Sequence, residues 1–112
     1  MQARLNSADM ISVEEAGSLM GERDSTIRRW IAQGHCFAVT APGWGTRLPR
    51  WQFEDHLLLW IRPISQALDA KSGNGWQVLS FLETPHEGLG GRTPRQALER
   101  GDVDRVLAVA SV

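Results

Sequence analysis

Ser25, Arg28, Arg29, Ala32 and Gln33 fall in one short run, at spacings that gather them on one side of a helix. A hydroxyl, two guanidinium forks, a small residue and an amide suit the major groove of DNA. There Arg can fork onto guanine and Gln onto adenine. Ile27, Trp30 and Ile31 take the other side and form an apolar stripe. The same spacing also allows a plainer reading, an amphipathic helix whose arginines are simply solvated. Further on, Arg47 and Arg50 flank an extended run and could reach phosphates beside such a groove helix.

Other chemistry is poorly served. His35, His56, His86 and Cys36 lack metal-ligand spacing, and structural zinc normally needs four ligands. No base or oxyanion hole is positioned around Cys36. Glu83 and Glu87 are a helical turn apart, but Pro85 breaks the helix between them. The loop Gly88 to Gly91 has neither the lysine of a P-loop nor the strand that precedes a dinucleotide site. The expectation is no enzyme, no metal and no cofactor.

The elements that must position the arginines are legible locally. Ser12 with Glu15 forms a capping box, and Val13, Ala16, Leu19 and Met20 recur at helical spacing up to Gly21. A second helix starts with Asp24 or Ser25 as its cap and stops at Gly34. Two extended runs, Phe37 to Val39 and Arg47 to Phe53, flank a Pro/Gly-rich turn and predict a hairpin. Pro49 would make its second arm an edge strand, and Trp44 in the turn either folds back over the hairpin or is an exposed contact. Residues 1–10 show no periodicity and predict a loosely held arm.

A connector rich in large apolar residues (His56 to Ile61) suggests burial between two halves of the chain or against a second copy. A helix should then run from about Arg62 through Ala70, with Pro63 in its first turn and Ile64, Ala67 and Leu68 inward. Ser72 to Gly75 is a loop. Trp76, Leu79 and Leu82 make a helix that ends before Pro85. Thr93-Pro94-Arg95-Gln96 opens another, and Asp102 caps a last one with Val103, Val106, Leu107 and Ala110 inward.

The fold class expected is mainly α: a winged helix-turn-helix with a short β-hairpin over 1–53, a linker and connecting helix over 54–75, and a small helical unit over 76–112. With 112 residues, 42% apolar and 22% charged, the chain reads as globular. No run approaches the roughly 20 apolar residues that span a bilayer. No signal peptide is evident, and the single cysteine makes a reducing cytoplasm the default. A net charge of −1 argues against an indiscriminate polyanion binder, so any DNA-binding charge must be segregated onto one face.

In the second half, Trp76, Leu79, Phe81-Leu82, Pro85, the run Leu89-Gly90-Gly91-Arg92-Thr93-Pro94, Ala97-Leu98, Gly101-Asp102 and Val106 together form a recognisable pattern. It resembles the C-terminal toxin-binding domain of Xre/MbcA/ParS-type antitoxins, over roughly residues 60–112. The resemblance implies an antitoxin of a bacterial type II pair, most often facing a RES-domain toxin that degrades NAD or a related ADP-ribosylating toxin. It also implies binding to double-stranded operator DNA as a repressor of its own operon. The first half departs from the commonest form of that family and looks more like MerR or excisionase domains.

Leu89, Gly90, Gly91, Arg92 and Arg95 are the candidate toxin or partner contacts. The glycines would let backbone approach another surface, and the arginines offer forked donors to carboxylates. The alternative is a tight turn between packed helices with Leu89 plugging the core, which is the favoured reading for Leu89 itself. Trp76 and Pro94 serve packing and helix initiation. A free-standing transcription regulator that forms a homodimer through its C-terminal helices is the competing function.

Overall fold

The computed structural model describes residues 8–41, 43, 45–54, 56–68 and 75–111. The expectations for residues 1–7, for Trp44, for the loop at 72–74 and for a helix beyond Leu68 lie outside that set. The described residues form six α-helices and a small three-stranded antiparallel sheet.

The first helix, α1 (Val13–Met20), opens on the capping box between Ser12 and Glu15, both hydrogen bonds measuring 3.0 Å. Its C-cap is Gly21 at φ 70°, whose left-handed conformation aims backbone N–H groups at the last carbonyls. The turn from Gly21 to Arg23 leads directly into α2 (Asp24–Gln33), capped at Gly34. Neither Asp24 nor Ser25 is the N-cap. Arg23 holds that place in extended backbone without a side-chain bond, and Asp24 lies inside the first turn, where its charge favours the positive helix end. The two helices close so tightly that a Cβ on Gly17 would sit 2.7 Å from the Glu22 carbonyl.

Strand β1 (Met10–Ile11) pairs with β3 (Gly45–Pro49), which pairs on its other side with β2 (Val39–Ala41). Met10, the last residue of the expected arm, therefore belongs to a strand, and Pro49 lies on the central strand rather than an edge. The proline is tolerated because it ends β3: β2 reaches only as far as Arg47, and the Asp9 carbonyl takes its hydrogen bond from Arg50 instead, at 2.7 Å. Beyond it the chain turns into a 3-10 segment, Arg50–Phe53, and does not remain extended as expected.

That turn delivers Gln52 to the interior. Its side chain is fully buried; Oε1 accepts from the Phe37 amide at 2.9 Å, and Nε2 donates to the Phe37 carbonyl at 2.9 Å and the Pro49 carbonyl at 3.1 Å. Phe37 thus has its backbone groups satisfied by a side chain rather than by a strand, which explains why β2 begins two residues later than the sequence suggests.

Helix α3 spans Leu58–Ala67 and carries Pro63 in its interior, not in its first turn. The missing N–H leaves the Leu59 carbonyl without its helical donor, but Leu59 is 69% exposed, so water can serve that carbonyl. Ile61 and Ile64, both at 0% exposure, offset the cost, each contributing about 1.5–3 kcal/mol of burial. Leu58 packs against both hydrophobic clusters and so lies between them, as the connector's composition suggested.

Helix α4 (Gly75–Glu83) buries Val78, Leu79 and Leu82, and a 3-10 turn (Glu87–Leu89) follows. Then come α5 (Pro94–Glu99), with its Thr93–Gln96 capping box, and α6 (Val103–Ala110). Asp102 is the N-cap of α6 by position but makes no cap bond; its carboxylate goes to Arg92 at 2.7 Å.

The smaller cluster sits under α1, α2 and the sheet, around Val13, Ala16, Ile27 and Leu48. The larger one joins Phe37, Val39 and Trp51 to Leu57, Ile61, Leu82, Leu89 and Val106, so it runs across the segments 1–53, 54–75 and 76–112. At the seam, a Cβ on Gly75 would collide with the Ala38 carbonyl oxygen, a contact only glycine permits. The neighbouring Trp76 indole donates to the Thr40 carbonyl at 2.9 Å.

Replacing Gln52 by leucine orphans the Phe37 amide and carbonyl in the interior. Urea unfolding should register a loss of about 2–5 kcal/mol. A change smaller than about 0.5 kcal/mol would show that the amide is not a structural tie.

Candidate nucleic-acid interface and partner loop

The apolar stripe of α2 is turned inward: Ile27 is fully buried, and Trp30 and Ile31 pack partly covered against the smaller cluster. That fixes the opposite side outward. Ser25, Arg28, Arg29, Ala32 and Gln33 are all exposed. The side chains of Ser25, Arg28, Arg29 and Gln33 make no hydrogen bond or ion pair among the described residues. Two guanidiniums, a hydroxyl and an amide are therefore presented together on a rigid helix, with no carboxylate of the described residues claiming them.

Charge is segregated along the chain as well. From Ser25 through Phe53 there is no Asp or Glu, whereas Asp9, Glu14, Glu15, Glu22 and Asp24 all precede that stretch. This pattern was available in the sequence and is a better guide than the nearly balanced total.

Arg47 and Arg50 lie elsewhere. Arg47 is half-buried and donates to the Thr46 carbonyl at 3.0 Å. Its charge is felt at Glu15, whose carboxyl is held below its ordinary value by the Ser12 amide first, the Ser12 hydroxyl next and Arg47 to a smaller extent. Arg50 lines an open groove with Ile11, Glu14, Glu15, Ser18 and Leu19. Both arginines thus share their surroundings with the acids of α1.

The candidate partner residues separate into two kinds. Leu89 is at 0% exposure in the larger cluster, so its side chain is a core plug and not a contact. Arg92 donates to the Asp102 carboxylate at 2.7 Å and to the Leu89 carbonyl at 2.9 Å, so it closes its own loop. Arg95 lies with its guanidinium 4.5 Å from the centre of the Trp51 ring, and Glu99 is 3.9 Å away. The sequence suggests forked donors for a partner; the large aromatic and the acid that folding brings beside these two arginines engage them within the chain.

Gly90 and Gly91 remain exposed, with open space where side chains would be. Hydrogen bonds from His86 N–H to the Arg92 carbonyl (3.1 Å) and from Gly91 N–H to the His86 carbonyl (3.0 Å) tie the loop into a ring. The loop thus presents bare backbone on a hydrogen-bonded turn.

Among the described residues no group of three or more His, Cys, Asp or Glu could hold a metal ion, and no helix is long and apolar enough to cross a membrane. Cys36 is 1% exposed, and burial pushes its thiol up to about 12. A thiol held protonated is a poor nucleophile. Raising the pH past the ordinary 9.0 ionises the unfolded chain but not the folded one, so this group subtracts stability between there and about 12. At neutral pH, a thiol reagent should leave Cys36 unlabelled until denaturant unfolds the protein. Rapid labelling of the native chain would contradict its burial.

No family model, curated protein or solved structure matches this chain.

Proposed function

We propose that this chain is the antitoxin of a bacterial type II toxin–antitoxin pair, acting in the cytoplasm. In this reading α1 and α2 form a helix-turn-helix with the β2–β3 hairpin as its wing, and α2 enters the major groove of operator DNA. One observation carries the DNA half: the outward face of α2 holds Arg28, Arg29, Ser25 and Gln33, whose side chains have no partner among the described residues. Arg28 and Arg29 would fork onto guanine edges, Gln33 would read adenine, and Ser25 would serve either base or phosphate. Arg47 and Arg50 would reach the phosphates that flank the groove on the α1 side.

The toxin half rests on the resemblance of roughly residues 60–112 to the toxin-binding unit of Xre/MbcA/ParS-type antitoxins. The exposed Gly90–Gly91 turn suits close backbone approach to a toxin surface, RES-type toxins being the leading partner class. A second reading has an observation in its favour. Arg92 and Arg95 are held by Asp102, Trp51 and Glu99, which fits a free-standing DNA-binding regulator whose C-terminal helices serve stability or homodimerisation.

Co-expression with the product of the adjacent reading frame separates the two. Rescue of growth together with co-purification supports the antitoxin; a homodimer that leaves toxicity untouched supports the regulator. Arg29→Ala should weaken binding to the chain's own upstream duplex by about 1–3 kcal/mol in gel shifts at fixed salt. It should leave co-purification of the partner unaltered. Unchanged affinity would remove α2 from the groove.

A further inference from the structure

We propose that Arg62, on the helix that follows the hairpin, makes a phosphate contact beside the C-terminal end of α2. The inference rests on the reading of α2 as the groove helix and extends the duplex surface beyond the helix pair. Leu58 and Arg62 are one helical turn apart and share a face of α3. Leu58 packs into the cluster under α2 that includes Ile27, Trp30 and Ile31, so Arg62 is carried to the end of the same helix. There its aliphatic stem is the nearest atom to the α2 cap: a Cβ built on Gly34 would lie 4.0 Å from the Arg62 Cγ.

The side chain is exposed and has no ion-pair partner among the described residues. The last groove-facing residue of α2, Gln33, directly precedes Gly34. A cation at that point meets the backbone next to the bases that Gln33 and Arg29 would reach. Arg47 and Arg50 are less well placed for that work, since Glu14 and Glu15 lie around them. Because α3 is anchored by Ile61 and Ile64, both fully buried, Arg62 is delivered by a rigid element and not by a loop.

Arg62 also sits at the negative end of the α2 dipole, where a cation helps stability alone. Salt dependence distinguishes the two roles. Full-length protein is titrated with a labelled random-sequence duplex and with its upstream duplex, over a range of salt concentrations. Thermal unfolding of each variant is measured in parallel to establish that it is folded.

Arg62→Ala and Arg62→Gln should weaken binding to both duplexes alike, roughly fivefold, and flatten the log affinity against log salt slope by about 0.9, one phosphate contact. Arg62→Lys should restore the slope. A folded Arg62→Ala whose slope equals that of the parent protein overturns the assignment while leaving the groove helix standing. A variant that alters sequence preference instead overturns it as well. A parent protein that binds neither duplex brings down both readings.

Discussion

The buried carboxamide of Gln52 is the tie on which the arrangement depends. It reproduces, from a side chain, the paired donor and acceptor of a strand neighbour, and it spends them on Phe37. Without it, the segment leaving α2 would carry unsatisfied backbone into the interior, where each such group costs about 1–3 kcal/mol. The next residues of that segment accept the rest of the molecule: Ala38 meets Gly75 across a gap with no room for a Cβ, and Thr40 receives the Trp76 indole. One short stretch of backbone therefore sets where α4 lies relative to α2. The helices of the second half are built onto the first half, and their shared core has Trp51 and Val106 in the same cluster.

This geometry explains how a chain of net charge −1 can offer a cationic face. Within residues 1–53 the acids are confined to Asp9 through Asp24, and two of them, Glu14 and Glu15, lie beside Arg47 and Arg50. The outer face of α2 is left to Arg28 and Arg29. The second half treats its arginines differently, tying Arg92 to Asp102 and laying Arg95 over Trp51. Two populations of the same residue type serve two purposes, one kept free and one used to lock a fold.

Much of the local structure was legible because its causes are local. The capping boxes at Ser12 and Thr93, the left-handed caps at Gly21 and Gly34, and the inward stripes of α2 and α6 each follow from residues within a turn or two. The outward placement of Arg28, Arg29 and Gln33 was legible for the same reason. What escaped depends on distant partners. Pro63 stays inside α3 because two isoleucines find a core that only the C-terminal helices complete. Pro49 sits on a central strand because the two-residue strand Met10–Ile11 pairs beside it. Gln52, Arg92 and Arg95 look like ordinary surface residues in sequence, and only the folded chain brings them Phe37, Asp102 and Trp51.

The central claim is that the outer face of α2 is built for a DNA duplex while the ring of residues 86–92 is closed on itself. Backbone amide NMR of the labelled protein, titrated with its upstream duplex, tests this most directly. The account predicts shifts concentrated in residues 24–34 and at the neighbouring turn of α3, with the amides of residues 86–100 little changed. Shifts confined to the 86–92 loop, with α2 silent, would contradict it.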